Sequence, residues 1–205
     1  MSQDAATDRA HMNKGQEVDL LQVDPGLHKL FIGLGWDAPT EKDGQPVDID
    51  ASAFLLNRDG RVRRDTDFIF YNNLETDNGL IRHRGDNTTG AKEGEQQDAE
   101  MIDIDLENVG FDVDRIAFSV TIHNAGERQQ SFGVIKNAYI RVVNSDTQNE
   151  IARYDLTEDA STDDSMIFGE LVREALGWKF KAIGQGSSGG LYKIARDFGV
   201  HVAAP

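Results

Sequence analysis

The stretch Arg115-Ile-Ala-Phe-Ser-Val-Thr-Ile-His123 alternates large apolar side chains with small or polar ones at every second position. Successive side chains of a β-strand point to opposite faces, so the four apolar side chains at even positions share one face. Ala117, Ser119 and Thr121 share the other face. The pattern predicts a strand with one face in a hydrophobic core.

Seven other short apolar runs have the same character, and glycine, asparagine and aspartate turns separate them. They are Leu27–Leu34, Ile49–Leu56, Phe68–Tyr71, Met101–Leu106, Ala138–Val143, Ile151–Leu156 and Trp178–Ile183. Many short strands at such spacing are typical of two packed antiparallel sheets. The fold class is therefore predicted to be mainly β, an antiparallel β-sandwich of two sheets.

Two segments near the C-terminus depart from this pattern and predict short helices. Ser161-Thr-Asp-Asp164 offers a capping side chain followed by acids that suit a helix N-terminus, and the helix would run to about Ala175. The second helix is predicted at Leu191–Phe198. The side chains expected to pack the first helix on the sheet are Met166, Ile167, Leu171 and Val172.

The composition bounds the class of protein. The chain has 205 residues, enough for one domain at residues 14–205, with residues 1–13 predicted to be a disordered leader or an added tag. It has no cysteine, which excludes disulfides and cysteine zinc sites and favours a cytoplasmic location. Its net charge of −15 argues against binding to nucleic acid, which requires basic side chains on the phosphates. No apolar run is long enough for a membrane helix.

The negative charge is concentrated between Asp37 and Asp105, where 17 acidic residues face 8 basic ones. Asp48 and Asp50 flank one isoleucine and would share a strand face, as would Asp65 and Asp67. The glycine-framed segment at residues 85–90 adds further oxygen ligands. Two readings of this spacing stay open: solvated turn residues, or a site for a hard divalent cation such as Ca²⁺.

The other sequence patterns give weaker evidence about function. Asn57-Arg-Asp-Gly60 does not supply the ligands of an EF-hand loop, so a metal site would be discontinuous. Gly184-Gln-Gly-Ser-Ser-Gly189 matches a dinucleotide-binding spacing, but it lacks the acidic residue expected about 20 positions later. These glycines are interpreted as a strand-to-helix turn that could offer a weak anion site. His83 and His123 are interpreted as structural histidines, and no serine nucleophile elbow occurs.

Several longer motifs resemble the TerD family of tellurium-resistance and stress-response proteins. The resemblance extends from about Lys14 to Val202, nearly the whole chain. The motifs that carry it are Gly33-Leu-Gly-Trp-Asp37, Asp48-Ile-Asp-Ala-Ser52, Asp67-Phe-Ile-Phe-Tyr-Asn-Asn73, Gly85-Asp-Asn87, Thr89-Gly90, Val120-Thr-Ile-His123, Gln130-Ser-Phe-Gly133, Arg153-Tyr-Asp-Leu-Thr-Glu-Asp-Ala-Ser161 and Ile183-Gly-Gln-Gly186.

The resemblance implies a β-sandwich that binds one or two Ca²⁺ ions through acidic loops and has no catalytic activity. It also implies a part in resistance to tellurite, phages and colicins, alongside other stress-resistance proteins, in the cytoplasm or at the inner face of the membrane. The ligands it implies are Asp37, Asp48, Asp50, Asp67, Asn72, Asp86, Asn87, Asp98 and Glu100.

The chain departs from the family pattern in one acidic loop. Glu93-Gly-Glu-Gln-Gln-Asp-Ala-Glu100 is longer than the family's Gly-Asp-Asp-Glu and has Ala99 where an acid is usual. Two alternative functions stay open beside the Ca²⁺-binding module. One is a Ca²⁺-dependent adaptor that docks to a membrane or a partner protein, and the other is a metal-assisted hydrolase.

Overall fold

The computed structural model describes residues 11–37, 47–85, 98–156, 162–175 and 177–202. In this part of the chain, twelve strands form two six-stranded sheets, and three short α-helices accompany them. The strands are β1 His11–Met12, β2 Glu17–Asp19, β3 Lys29–Asp37, β4 Ile49–Leu56, β5 Phe68–Ile69, β6 Ile81–His83, β7 Glu100–Asp105, β8 Arg115–Ile122, β9 Lys136–Asn144, β10 Glu150–Asp155, β11 Ser165–Glu174 and β12 Gly177–Ser187. The helices are α1 Leu20–Val23, α2 Ala125–Arg128 and α3 Gly190–Asp197.

The two sheets form a sandwich. Sheet A has the strand order β1-β10-β9-β3-β7-β6, and sheet B has the order β2-β12-β11-β8-β4-β5. Neighbouring strands are antiparallel except for β1, which pairs parallel with β10. The predicted antiparallel two-sheet sandwich is confirmed. Among the described residues, no helix has the length and apolarity needed to span a bilayer.

All eight strands predicted from the sequence are confirmed, with ends that differ by a few residues. β8 lies between β4 and β11, and its side chains at positions 116, 118, 120 and 122 enter the core between the sheets. The opposite face of β8 is buried as well, since Ala117 and Ser119 are fully inaccessible to solvent. Sheet B must therefore carry a second layer on its outer face.

That second layer is built from aromatic side chains and α3. Phe54 of β4 stacks on Phe68 with ring centroids 4.5 Å apart and contacts Phe198, just after α3, at 4.9 Å. Ile194 and Ala195 of α3 are buried in the same cluster. The predicted C-terminal helix is confirmed, and it covers the outer face of sheet B.

The other predicted helix is wrong: within its range, Ser165–Glu174 forms β11, between β8 and β12. Met166, Phe168 and Leu171 enter the core. A β-bulge between Ile167 and Gly169 shifts the register, so the last step along the core face is three residues instead of two. This spacing imitates a helical period, which explains the error.

The N-terminal boundary also differs from the expectation. His11 and Met12, assigned to the leader, pair with Arg153 and Tyr154 of β10, and Met12 is buried. Residues 11–13 therefore belong to the folded part of the chain. Residues 1–10 lie outside the described residues.

The packing of α3 on sheet B yields a stability prediction. Phe54→Ala removes a fully buried ring from between two aromatic neighbours and is expected to lower the free energy of unfolding by about 3–5 kcal/mol. Phe111→Ala is the matched control, because this ring is 77% exposed and should cost less than about 1 kcal/mol. Urea unfolding measures both values, and equal losses would contradict the assigned packing.

Candidate metal site

One end of the sandwich gathers most of the predicted ligands. β3 ends at Asp37, β4 begins one residue after Asp48, and Trp36, Ile49 and Val120 line one small cavity between the sheets. The ends of β3, β4 and β8 therefore lie together. We call this end, with Asp37, Asp48, Asp50, Asn72, Asp98 and Glu100, the acidic end.

Asp48 and Asp50 stand at the start of β4. Asp50 is 6% exposed, and its Oδ2 lies 3.5 Å from Nδ1 of His123 at the end of β8. Asp48 differs, because its Oδ1 is buried and accepts no hydrogen bond from the described residues. A buried carboxylate oxygen without a donor is costly, so a donor or a cation placed at Oδ1 would stabilise the folded state.

Asp37 and Asn72 border the same end from two sides. Asp37 Oδ2 accepts a hydrogen bond of 2.6 Å from the side-chain amide of Asn137. Asn72 is exposed in the turn after β5. Its neighbour Tyr71 has its ring 6.1 Å from that of His123, which places this turn near Asp50.

Asp98 lies on the outer face of sheet A and is held by two neighbouring side chains. Arg141 donates to both carboxylate oxygens at 2.7 to 3.2 Å, and the Tyr139 hydroxyl donates at 3.0 Å. Gly33 leaves the space that the Asp98 carboxylate occupies, because a Cβ at position 33 would lie 2.5 Å from that carboxylate. The hydrogen bond to Asp98 raises the pKa of Arg141, which therefore stays charged.

Glu100 points in the opposite direction, into the interior beside Ile102. It is 1% exposed, and its Oε2 lies 3.0 Å from Nε2 of the equally buried His83. The backbone N–H of Gly85 donates to Nδ1 of His83 at 3.1 Å. This bond assigns the ring proton to Nε2, which then faces the Glu100 carboxylate.

Among the described candidate ligands, Asp67 lies far from the others. Phe68 pairs with Phe54, so Asp67 lies opposite Leu55, about 23 Å along β4 from Asp48. Arg63 donates to both of its carboxylate oxygens at 2.8 and 2.9 Å. Asp67 also lines a polar cavity of about 220 Å³ at this far end.

Asp86 and Asn87 lie outside the described residues, as does most of the loop at 93–100. Among the residues that are described, no three His, Asp or Glu side chains form a group that could hold a metal ion. Asp98 lies on the outer face of sheet A and Glu100 between the sheets. The acidic end therefore brings the candidates to one region without joining the described carboxylates into one coordination shell.

The side chains that donate hydrogen bonds to these acids, two arginines and a tyrosine, were not predicted from the sequence. Arg63, Arg141 and Tyr139 were not singled out, although Tyr139 and Arg141 alternate on β9 and so share one face. Gly33 and Gly35 in an apolar strand were the available signal, because a glycine within a strand marks a close approach by another group. A Cβ at position 35 would lie 2.3 Å from the Tyr139 ring.

The glycine-rich turn before α3 has an internal partner. Asp164 Oδ1 accepts hydrogen bonds from the backbone N–H groups of Gly189 at 3.0 Å and Gly190 at 2.9 Å. The carboxylate thus occupies the place where the sequence suggested a weak anion site. Gly184 and Gly186 belong to β12, not to the turn.

The fold and the site define the chain as a two-sheet β-sandwich with several described carboxylates near one end. The family described as TerD domain matches residues 9–198. The chain therefore belongs to the TerD family of tellurium-resistance and general stress-response proteins.

Two relatives illustrate the breadth of the family. The chain is 50% identical to the tellurium resistance protein TerD of Serratia marcescens, over 94% of this chain and 98% of that protein. It is 48% identical to general stress protein 16U of Bacillus subtilis, over 92% and 96%. A crystal structure of a TerD homologue from Streptomyces coelicolor A3(2) has a TM-score of 0.66 at 20% identity, covering 83% of this chain and 96% of that one, and supports the fold.

The Asp98 cluster yields a pH prediction. Burial raises the pKa of the Tyr139 phenol, and the adjacent Asp98 carboxylate raises it further. The folded protein thus keeps this proton above pH about 10, where an unfolded tyrosine releases it. The free energy of unfolding contributed by Tyr139 should therefore fall as the pH rises above about 10.

Ultraviolet absorbance titration of the native protein and of Tyr139→Phe measures this effect. The difference between the two curves should show no ionisation step near pH 10. A step there, while the protein is still folded, would contradict the assigned environment of Tyr139.

Proposed function

We propose that this protein is a non-enzymatic Ca²⁺-binding module of a tellurium-resistance and stress-response system, with the ion held by acidic loops at the acidic end. The observation that carries the proposal is the buried Asp48 Oδ1, which accepts no hydrogen bond from the described residues. A divalent cation would satisfy this oxygen and offset the repulsion among the acids nearby.

The donor chemistry of the acidic end supports Ca²⁺ over softer metals. The candidates there are carboxylate and amide oxygens, which suit a hard cation with six to eight ligands. His83 faces the carboxylate of Glu100, and His123 faces that of Asp50. We therefore assign both histidines to positioning these acids and not to binding the metal. Asp86 and Asn87 are proposed to complete the site, and one or two ions are proposed to bind.

The non-enzymatic part of the proposal rests on how the buried acids are paired. A general acid needs a carboxyl group that holds its proton near neutral pH. Asp67 and Asp98 instead each receive two or more hydrogen bonds from an arginine, so fixed donors occupy their oxygens. Such carboxylates are suited to a structural role.

The cellular role and the location of the module are also part of the proposal. The names of relatives, a tellurium resistance protein and a general stress protein, support a role in stress resistance together with other proteins of the same response. The absence of cysteine supports a reducing, cytoplasmic location. Docking at the inner face of the membrane is the alternative.

Thermal unfolding with and without Ca²⁺ tests the proposal. Millimolar Ca²⁺ should raise the melting temperature strongly, because an ion that binds only the folded state stabilises it. Mg²⁺ should raise the melting temperature less, since it requires a tighter octahedral coordination shell. No shift with Ca²⁺ would overturn the proposed function, and calorimetry gives the number of ions.

Two matched substitutions locate the site. Asp48→Asn should weaken Ca²⁺ binding at least about tenfold, because it removes a charged ligand. Asp67→Asn should destabilise the Ca²⁺-free protein, since it breaks the pair with Arg63, yet leave the Ca²⁺ affinity unchanged. Equal losses of affinity in the two variants would contradict the placement of the ion at the acidic end.

A further inference from the structure

Two serine side chains on the outer face of sheet B are buried without a hydrogen-bond partner. Ser52 of β4 and Ser119 of β8 lie directly opposite each other in the antiparallel pair, so their side chains share one face. Both are fully inaccessible to solvent, and neither Oγ has a partner among the described residues. A hydroxyl that loses its water and gains no partner destabilises the structure that buries it.

The layer that covers these hydroxyls is α3 with the residues on either side of it. Phe54 and Ala117, two positions along from the serines, belong to the cluster that α3 completes, so all four side chains face this layer. α3 lies against β8 and β11, yet Ile194 and Ala195 are its only buried residues. A helix of eight residues is not stable by itself, so α3 depends on this limited packing. We call residues 189–202 the α3 cover.

The hydrophobic cluster under the α3 cover is separate from the core between the sheets. The outer cluster joins Phe54 and Phe68 to Ile194, whereas Ile49 and Phe118 belong to the core. Alternate side chains of β4 and β8 enter one cluster or the other, and the α3 cover supplies no strand to either sheet. Removal of the cover therefore leaves the contacts between the two sheets in place.

The α3 cover is attached by hydrogen bonds at both ends. At its start, the Asp164 carboxylate holds the N–H groups of Gly189 and Gly190, and Gly189 has a φ of +116°, a conformation that glycine adopts without strain. At its end, the N–H of His201 donates to Asp65 Oδ1 at 2.9 Å. These bonds lie at the surface, where water can replace them at little cost.

We propose that the α3 cover is a lid that opens from sheet B, with Gly189 as its hinge, while both sheets stay folded, and that the two buried serine hydroxyls favour the opening. In the open form, water binds both hydroxyls and the freed anchors. Packing of Phe198 on Phe54 closes the lid again. Local opening of this kind requires less free energy than global unfolding.

The open form differs from the closed form in the surface that sheet B presents. Opening uncovers Phe54, Phe68 and Ala117, which are buried in the closed form. One fold thus alternates between a covered and an uncovered apolar face, and the population of the open form is set by the stability of the lid. This inference does not depend on the proposed Ca²⁺ site.

Thiol labelling tests the opening, because the chain has no cysteine of its own. Ser119→Cys places a thiol under the lid, and Ala53→Cys places one in the core between the sheets, where Ala53 is fully buried. A thiol reagent reacts with either only after the structure opens. At one fixed Ca²⁺ concentration without denaturant, the Ser119→Cys thiol should react at least about a hundredfold faster. Equal rates would overturn the proposal.

A second pair of variants tests the part assigned to the hydroxyls. Ser52→Ala, added to Ser119→Cys, should slow the labelling at least about threefold, because it removes an unpartnered hydroxyl from the closed form. Ser165→Ala is the matched control, since the Ser165 hydroxyl is buried but donates to the Ser187 carbonyl at 2.7 Å, and it should not slow the labelling. Unchanged labelling with Ser52→Ala, or equal slowing in both, would overturn this part.

Hydrogen exchange of the unaltered protein gives a measurement that needs no substitution. The helical N–H groups of Lys193 and Phe198, which bond to the carbonyls of Gly189 and Ile194, should exchange through the local opening. The N–H groups of β8 should exchange only on global unfolding. Exchange of α3 and β8 at one common free energy of opening would show that the lid does not open separately and would contradict the proposal.

Discussion

The structure depends on one constraint: a carboxylate removed from water must meet a cation or hydrogen-bond donors. Arg63 meets it for Asp67, Arg141 and Tyr139 meet it for Asp98, and Nε2 of His83 faces the Glu100 carboxylate. These pairs are widely separated, on the inner and outer faces of sheet A and at both ends of the sandwich. The buried Asp48 Oδ1 has no such partner among the described residues, and this is the observation behind the proposed ion.

The sequence predicted the sandwich because alternation is a local signal, and β8 shows it without interruption on its core face. It could not predict β11, where a single bulge at Ile167–Gly169 converts a two-residue step into a helix-like one. Nor could it predict that the outer face of β8 is buried, because that burial depends on Phe198 and α3, far along the chain. The same holds for the ends of elements such as β5, which depend on pairing partners.

The sequence predicted which residue types form the candidate site, but it predicted their positions in the fold only in part. Spacing identified Asp48 and Asp50 correctly as neighbours at the start of one strand. Asp67 looked equivalent because its own spacing to Asp65 is the same, but the register of β5 on β4 sends it to the other end. Its partner Arg63 is only four residues away in the sequence, so an ion pair between them was a possible prediction. The local sequence does not show whether an arginine or a metal ion binds the Asp67 carboxylate.

The pairing of β2 with β12 has a consequence for the order in which the chain can fold. Asp19 lies opposite Lys179, so β2 can pair only after the much later strand β12 has been synthesised. Sheet A, apart from the edge strand β1, uses residues 29–155, whereas sheet B gains β11, β12 and its α3 cover only afterwards. Such non-local closure is slow, since the entropy of a long loop is lost before the contacts form. On the ribosome, the half of the sandwich in sheet B stays incomplete until β11, β12 and α3 have emerged.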